Sequence, residues 1–318
     1  MLVSENYFDE TFDEAFVQKQ PEVKILTGML NLLSHENPFI SEQISILLAN
    51  VSNSPYFKYY FVTDRCIKSL ISILRFHSKH LHTEVSLLAI LIAVLNLSAM
   101  GDIVSGIENM QFLNSLQEII KNQALPYVNK SIGLLAISNI YTLSKKVDIS
   151  METQEFAFRI LRSWKTIQEE DKENAEVIMN LVYASLILFY NILLRKPQRD
   201  IVTKLITYLT ENIMDFFTDS QIVNVILELI TLFTKDKETS AMLFKEKKIL
   251  SYVFSRLTKQ KKSAEAGNSN METVKLAALA LSRLASRFDE KVLNCEFFIE
   301  QLKNFDNFDW VIENISAL

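Results

Sequence analysis

The sequence predicts an all-α protein assembled as a linear array of repeated helical units. Three observations carry that prediction: a shortage of Gly and Pro, helical periodicity along nearly the whole chain, and a polar residue that recurs inside successive apolar helices. The 318 residues include only 5 Gly and 5 Pro, where ordinary chains hold ~12% of the two together. Sandwiches, barrels and propellers need Gly, Asn-Gly or Pro at many hairpins, and nucleotide-binding α/β folds need Gly-rich turns. Apolar residues make up 49% and charged residues 22%, a composition that folds.

Each element follows from its spacing. Glu22 to Ser34 sets Val23, Ile25, Leu26, Met29, Leu30 and Leu33 on one broad face, and Phe39 to Val51 does the same with Ile40, Ile44, Leu47 and Leu48. After Ser54-Pro55 a short piece, Tyr56 to Val62, leads into Asp64 to Phe76, with Asp64 suited to an N-cap. A long apolar helix, Thr83 to Ala99, completes the first unit. The order of short, medium and long apolar helix recurs as 102–107, 110–121 and 127–143. The pairs 151–167 with 174–194 and 198–217 with 220–234 follow, then the triplet 237–244, 248–257 and 272–286. The stretch Lys259 to Asn270 reads as a flexible loop between the last two of these helices. Residues 1–21 read as an acidic cap, 22–288 as about six repeats, and 289–318 as a C-terminal helical cap.

The long helices align on a shared polar position. Asn50, Asn96, Asn139 and Asn191 occupy the same place in four of them, followed more weakly by Glu228 and Arg283. The successive spacings are 46, 43, 52, 37 and 55 residues, against about 40–47 for armadillo and HEAT arrays. Leu95-Asn96-Leu97-Ser98 and Leu48-Ala49-Asn50-Val51-Ser52 resemble the third-helix signature of armadillo repeats. The short-to-apolar helix order in 54–74 and 237–257 is similar to that family too. The resemblance spans about 22–288. It departs at the Gly usual between first and second helices, where this chain has Thr63-Asp64, Glu108-Asn109 and Glu246-Lys247, so HEAT-like geometry stays open for the middle units.

The resemblance implies a right-handed α-solenoid whose long helices line a concave wall. It also implies that Asn50, Asn96, Asn139 and Asn191 reach the backbone of an extended partner segment. An amide suits that role because it offers donor and acceptor together. The residues also leave open a second role, in which each Asn bonds to its own array and ties neighbouring helices. The nuclear-import receptors of the family pair each such Asn with a Trp one turn earlier; here those positions hold Ile46, Ile92, Leu135 and Ile187, which disfavours a lysine cage. Further along, Asn224 with Glu228 and Arg283 with Arg287 are i,i+4 pairs that share a face, so a partner there would contribute both charges.

Other features narrow the function. The net charge of −5 opposes binding to nucleic acid or anionic lipid. Cys66 and Cys295 are far apart and outside any metal-ligand spacing, so two free thiols in a reducing compartment are expected. The acidic start of the chain has no basic, then apolar, leader pattern. The uncharged runs 85–101 and 177–194 approach the length of a membrane span but carry Asn96, Asn180 and Asn191, and they read as core helices. His77, His80 and His82 cluster without the Cys pair or HExxH that zinc would need. No Walker loop, GxGxxG or GxSxG occurs, so neither cofactor nor metal is expected. Lys259-Gln260-Lys261-Lys262 is a weak nuclear address. The expectation is a non-enzymatic adaptor of the cytoplasm or nucleus that holds a protein or peptide segment along Asn50, Asn96, Asn139, Asn191, Asn224, Glu228, Arg283 and Arg287. The alternative is a structural subunit or homo-oligomer that uses its end or convex surface.

Overall fold

The computed structural model describes residues 21–33, 35–54, 57, 59–62, 69–70, 72–74, 84–101, 110–144, 147–216, 219–265 and 271–287. Among them the chain is all-α, with no strand. The helices are α1 (Pro21–Leu32), α2 (Pro38–Ser52), α3 (Glu84–Ser98), α4 (Met110–Lys121), α5 (Tyr127–Leu143), α6 (Met151–Glu170), α7 (Ala175–Arg195), α8 (Arg199–Asn212), α9 (Ser220–Phe233), α10 (Lys237–Lys245), α11 (Lys247–Glu265) and α12 (Met271–Arg287). Short 3-10 turns occupy Tyr59–Val62, Lys172–Asn174 and Ile213–Phe216. Two compact units divide between Thr153 and Gln154.

Capping side chains set several of these boundaries. The Asn37 side chain accepts from the Phe39 N–H at 3.0 Å, with Pro38 fitting the first turn of α2. Asp219 accepts from both the Gln221 and Ile222 N–H groups at 3.0 Å and starts α9. Asp236 caps α10 through the Thr239 N–H. These donors hold the Asp236 carboxyl below its ordinary range.

In the first unit the most extensive contacts join the long helices in chain order, α2 to α3 and α3 to α5. The helix α4 backs α5, and Gly133 permits that approach: a Cβ there would stand 3.3 Å from Ile120 Cγ1. Leu48, Ile90, Leu91, Leu97, Ile137 and Ile140 fill the space between these helices. In the second unit the long helices again stack in order, α7 to α9 and α9 to α12, with α11 backing α12. Phe158 of α6 packs on Phe189 of α7 at 4.1 Å, and Trp164 packs on Phe216 at 5.3 Å. Within each unit, then, helices pack mostly against near neighbours in sequence.

Two expectations need correction. Helix α11 runs on through Lys259 to Glu265, where the sequence suggested a loop; Lys, Gln, Ala and Glu are strong helix formers, and propensity prevails over low complexity there. The helix expected over 198–217 stops at Asn212, whose Nδ2 donates to the Tyr208 carbonyl at 2.9 Å. The tighter turn that follows drives Ile213 and Phe216 into the core. The two caps (Pro21 apart), Cys66, Cys295, the His77–His82 corner and the helix expected over 102–107 lie outside the described residues.

The stretch Lys172–Arg195, which includes α7, is long and apolar enough to cross a membrane by length and composition alone, and 56% of its most apolar window is buried inside the protein. Ser185, which interrupts it, is buried and donates to the Leu181 carbonyl at 2.8 Å. A core helix enclosed on several sides has the same apolar run.

Candidate functional site

The aligned polar position is the natural place to begin. In the first unit it lies on the surface of each long helix, and the same register holds for its neighbours. On α2 Phe39, Ile46 and Asn50 face outward, together with Gln43 and Leu47; on α3, 46 positions after the first three, Val85 and Ile92 are exposed and Asn96 is half-exposed, whereas Ala89 and Ala93 are buried. On α5 the equivalents Val128, Leu135 and Asn139 are half-exposed. Each helix thus presents apolar, apolar and amide groups along a single stripe, about two turns and then one turn apart. Because α2, α3 and α5 are adjacent in that order, the stripes lie side by side. Ile46 and Ile92, which stand where a lysine cage would need Trp, are 38% and 36% exposed.

The amides also act within the array. Asn96 Nδ2 donates to Ser52 Oγ at 3.1 Å and reaches the Ala49 carbonyl at 3.4 Å, both on α2. Asn139 Nδ2 donates to Ser98 Oγ on α3 at 3.1 Å. Each serine in turn donates to its own helix: Ser52 Oγ to the Ala49 carbonyl at 2.7 Å, and Ser98 Oγ to the Leu95 carbonyl at 2.8 Å. A hydroxyl serves this relay because it donates once and accepts as well. No described residue offers a donor to the side-chain oxygen of Asn96 or Asn139, so each amide combines an inward donor with an outward acceptor. The role of Ser52 and Ser98 escaped the sequence reading, although Asn-x-Ser repeating 46 residues apart was its visible signal. At the next unit Tyr141 replaces the serine.

The second unit carries different chemistry on its long helices. Asn191 on α7 and Asn224 and Glu228 on α9 are half-exposed. Asn224 Oδ1 accepts from Thr273 Oγ1 of α12 at 2.6 Å, again a side-chain link between successive long helices. Arg287 donates through Nη2 to the Lys235 carbonyl at 3.1 Å, just past the end of α9, where a cation also meets the negative end of the helix dipole. Arg283, one turn earlier, acts through its charge on Tyr190 of α7, partly offsetting the upward push on that phenol. Tyr183 and Tyr190 were not identified from sequence; they lie seven positions apart on one face of α7, within reach of the charge of Glu228 on α9. Burial, then Glu228, pushes both phenols up. The Glu228 carboxyl is itself raised from 4.5, first by burial and then by Glu272 of α12. The repeated position therefore changes from an apolar and amide surface in the first unit to an acidic and aromatic one in the second.

A cleft elsewhere in the second unit is lined by Leu193, Pro197, Val202, Phe233 and Asp236 among others, and an Arg199–Glu238 ion pair at 2.7 Å crosses between α8 and α10 there. Among the described residues no group of three His, Cys, Asp or Glu side chains could hold a metal ion. No family model matches this chain, and no curated protein matches it.

Proposed function

We propose that this chain is a right-handed α-solenoid of armadillo-like repeats that acts without catalysis as an adaptor, holding an extended or helical segment of a partner protein across its long helices. The observation that supports the reading most directly is the repeated outward stripe of the first unit. Phe39, Ile46 and Asn50 recur at the same register as Val85, Ile92 and Asn96, on helices packed side by side. The side-chain oxygens of Asn96 and Asn139 would accept from the partner backbone, and the apolar rows would receive its side chains. Asn50, Asn96 and Asn139 belong to this face, and in the second unit Asn191, Asn224, Glu228, Arg283 and Arg287 would make the partner contacts. On this reading the protein works in the cytoplasm or nucleus, with neither nucleic acid nor membrane as its partner.

The test is selection of 12-residue peptides from a random display library on the full chain. Ile92→Glu alters an exposed position, so it should leave melting nearly unchanged while weakening selected peptides at least tenfold. Peptides that bind Ile92→Glu as well as the parent chain would refute the reading.

A structural subunit in a larger assembly is the second reading, favoured by Ile25 and Leu32. These lie seven positions apart on one face of α1 and are 56% and 41% exposed. Light scattering on the purified chain separates the two, since a dimer lost in Ile25→Glu would favour assembly through that face.

A further inference from the structure

We infer that the first turn of α5, together with the ammonium of Lys130, is a binding site for a phosphate group. The inference goes beyond the adaptor reading and does not depend on it. Pro126 stands at the cap position of α5, and no side chain bonds to the first turn. The Tyr127, Val128 and Asn129 N–H groups precede the helical ladder and have no acceptor among the described residues. Lys130, the next residue, is only 6% exposed, and its Nζ folds back to lie 5.1 Å from the centre of the Tyr127 ring. No described carboxylate pairs with that ammonium. Asn129 is 1% exposed, and its Nδ2 has no hydrogen-bond partner among the described residues. Pro126, Tyr127 and Val128 are half-exposed, so the turn opens to solvent.

Backbone N–H, side-chain amide N–H and ammonium are all donors, and the chemistry selects an anion. Without one, the arrangement is unfavourable twice over. The start of a helix carries partial positive charge and repels a cation held against it. An ammonium shielded from water also costs free energy unless an anion meets it. Burial, with no carboxylate opposing it, holds the Lys130 ammonium below its ordinary range. A bound anion offsets both costs, and the N–H groups of a first helical turn already suit one. The donors named here outnumber the acceptor positions of one planar carboxylate, whereas a phosphate offers oxygens in three dimensions to ammonium and backbone together.

The experiment titrates the full chain with inorganic phosphate in a calorimeter, at constant ionic strength set by chloride. The parent chain should show saturable binding, and its melting temperature should rise with phosphate concentration. Lys130→Met keeps a side chain of similar length without the charge. It should melt no lower than the parent in chloride, bind phosphate about tenfold more weakly or worse, and lose most of the phosphate-dependent rise in melting. Acetate, a planar carboxylate, should bind the parent more weakly than phosphate does. The unaltered chain decides the matter even if Lys130→Met were to fold poorly: with 15N-labelled tyrosine, the Tyr127 amide resonance should move as phosphate is added. A Tyr127 amide that stays still, phosphate binding unchanged in a folded Lys130→Met, or no saturable binding at all would overturn the site. Acetate binding as tightly as phosphate would overturn its assignment to a phosphate group.

Discussion

Ser52 and Ser98 show how one side chain can serve two levels of structure. Each hydroxyl donates to a carbonyl of its own helix and accepts from an amide on the next. A hydrogen bond of this kind is worth about 0.5–1.5 kcal/mol net. Asn96→Ala, which loses contacts to Ser52 and Ala49, should therefore lower unfolding free energy by about 1–2 kcal/mol, and Asn139→Ala, with one contact, by about 1 kcal/mol. Urea unfolding of Asn96→Ala, Ser52→Ala and the double variant should show coupling of about 0.5–1.5 kcal/mol; strict additivity would remove the relay. Glu228 gives a second test at this scale. Its folded pKa is raised above 4.5, so the folded state holds the proton more tightly than the unfolded one. Its contribution is most favourable below the ordinary carboxylate range and declines as pH rises from there through the raised value. Glu228→Gln should flatten that decline in melting temperature measured between pH 4 and pH 7. The sequence showed the amide row because one polar side chain in an apolar helix is conspicuous. It hid Tyr183 and Tyr190, since an aromatic at helical spacing looks the same whether it fills a core or borders a surface.

At the scale of the element, hydrophobic spacing located the helices and local chemistry fixed their ends. Asp219 shows the local part, with two backbone donors on one carboxylate oxygen. Asp219→Ala should destabilise the chain by about 1 kcal/mol, and Asp219→Asn by less, as read by thermal or urea unfolding. The same logic explains what spacing alone missed. Nothing apolar marks the tail of α11, yet a run of good helix formers carries it to Glu265. An apolar pattern continued past Asn212, but burial of Ile213 and Phe216 required a tighter turn than an α-helix allows. Core positions were the most legible. Ile90, fully buried on α3, should cost about 2–5 kcal/mol when replaced by Ala, whereas the exposed Val85 on the same helix should cost little.

Over the whole molecule, near-neighbour packing limits how far order in one part supports another. Each long helix is held chiefly by those before and after it in its unit, and stability then resembles a sum of local and nearest-neighbour contributions. Urea unfolding of a Trp310→Phe variant, followed by circular dichroism and by tryptophan fluorescence, should give transitions that do not coincide, because Trp164, then the single tryptophan, lies in the second unit. Coincident transitions would mean that both units unfold together. All-helical character was readable from the scarcity of Gly and Pro, and stacking order from the polar row. The change of surface chemistry between units was less visible, since it depends on which residues of adjacent helices become neighbours.

The central claim, that partner segments lie across the repeated outward stripe, is tested most directly by site-specific photocross-linking. A photoreactive residue is placed at Ile92 on α3 and, separately, at the exposed Glu118 on α4, and each protein is irradiated with a display-selected peptide. The account predicts cross-linking from position 92 and none from position 118. Cross-linking from 118, with position 92 silent, would place the partner away from the stripe and contradict it.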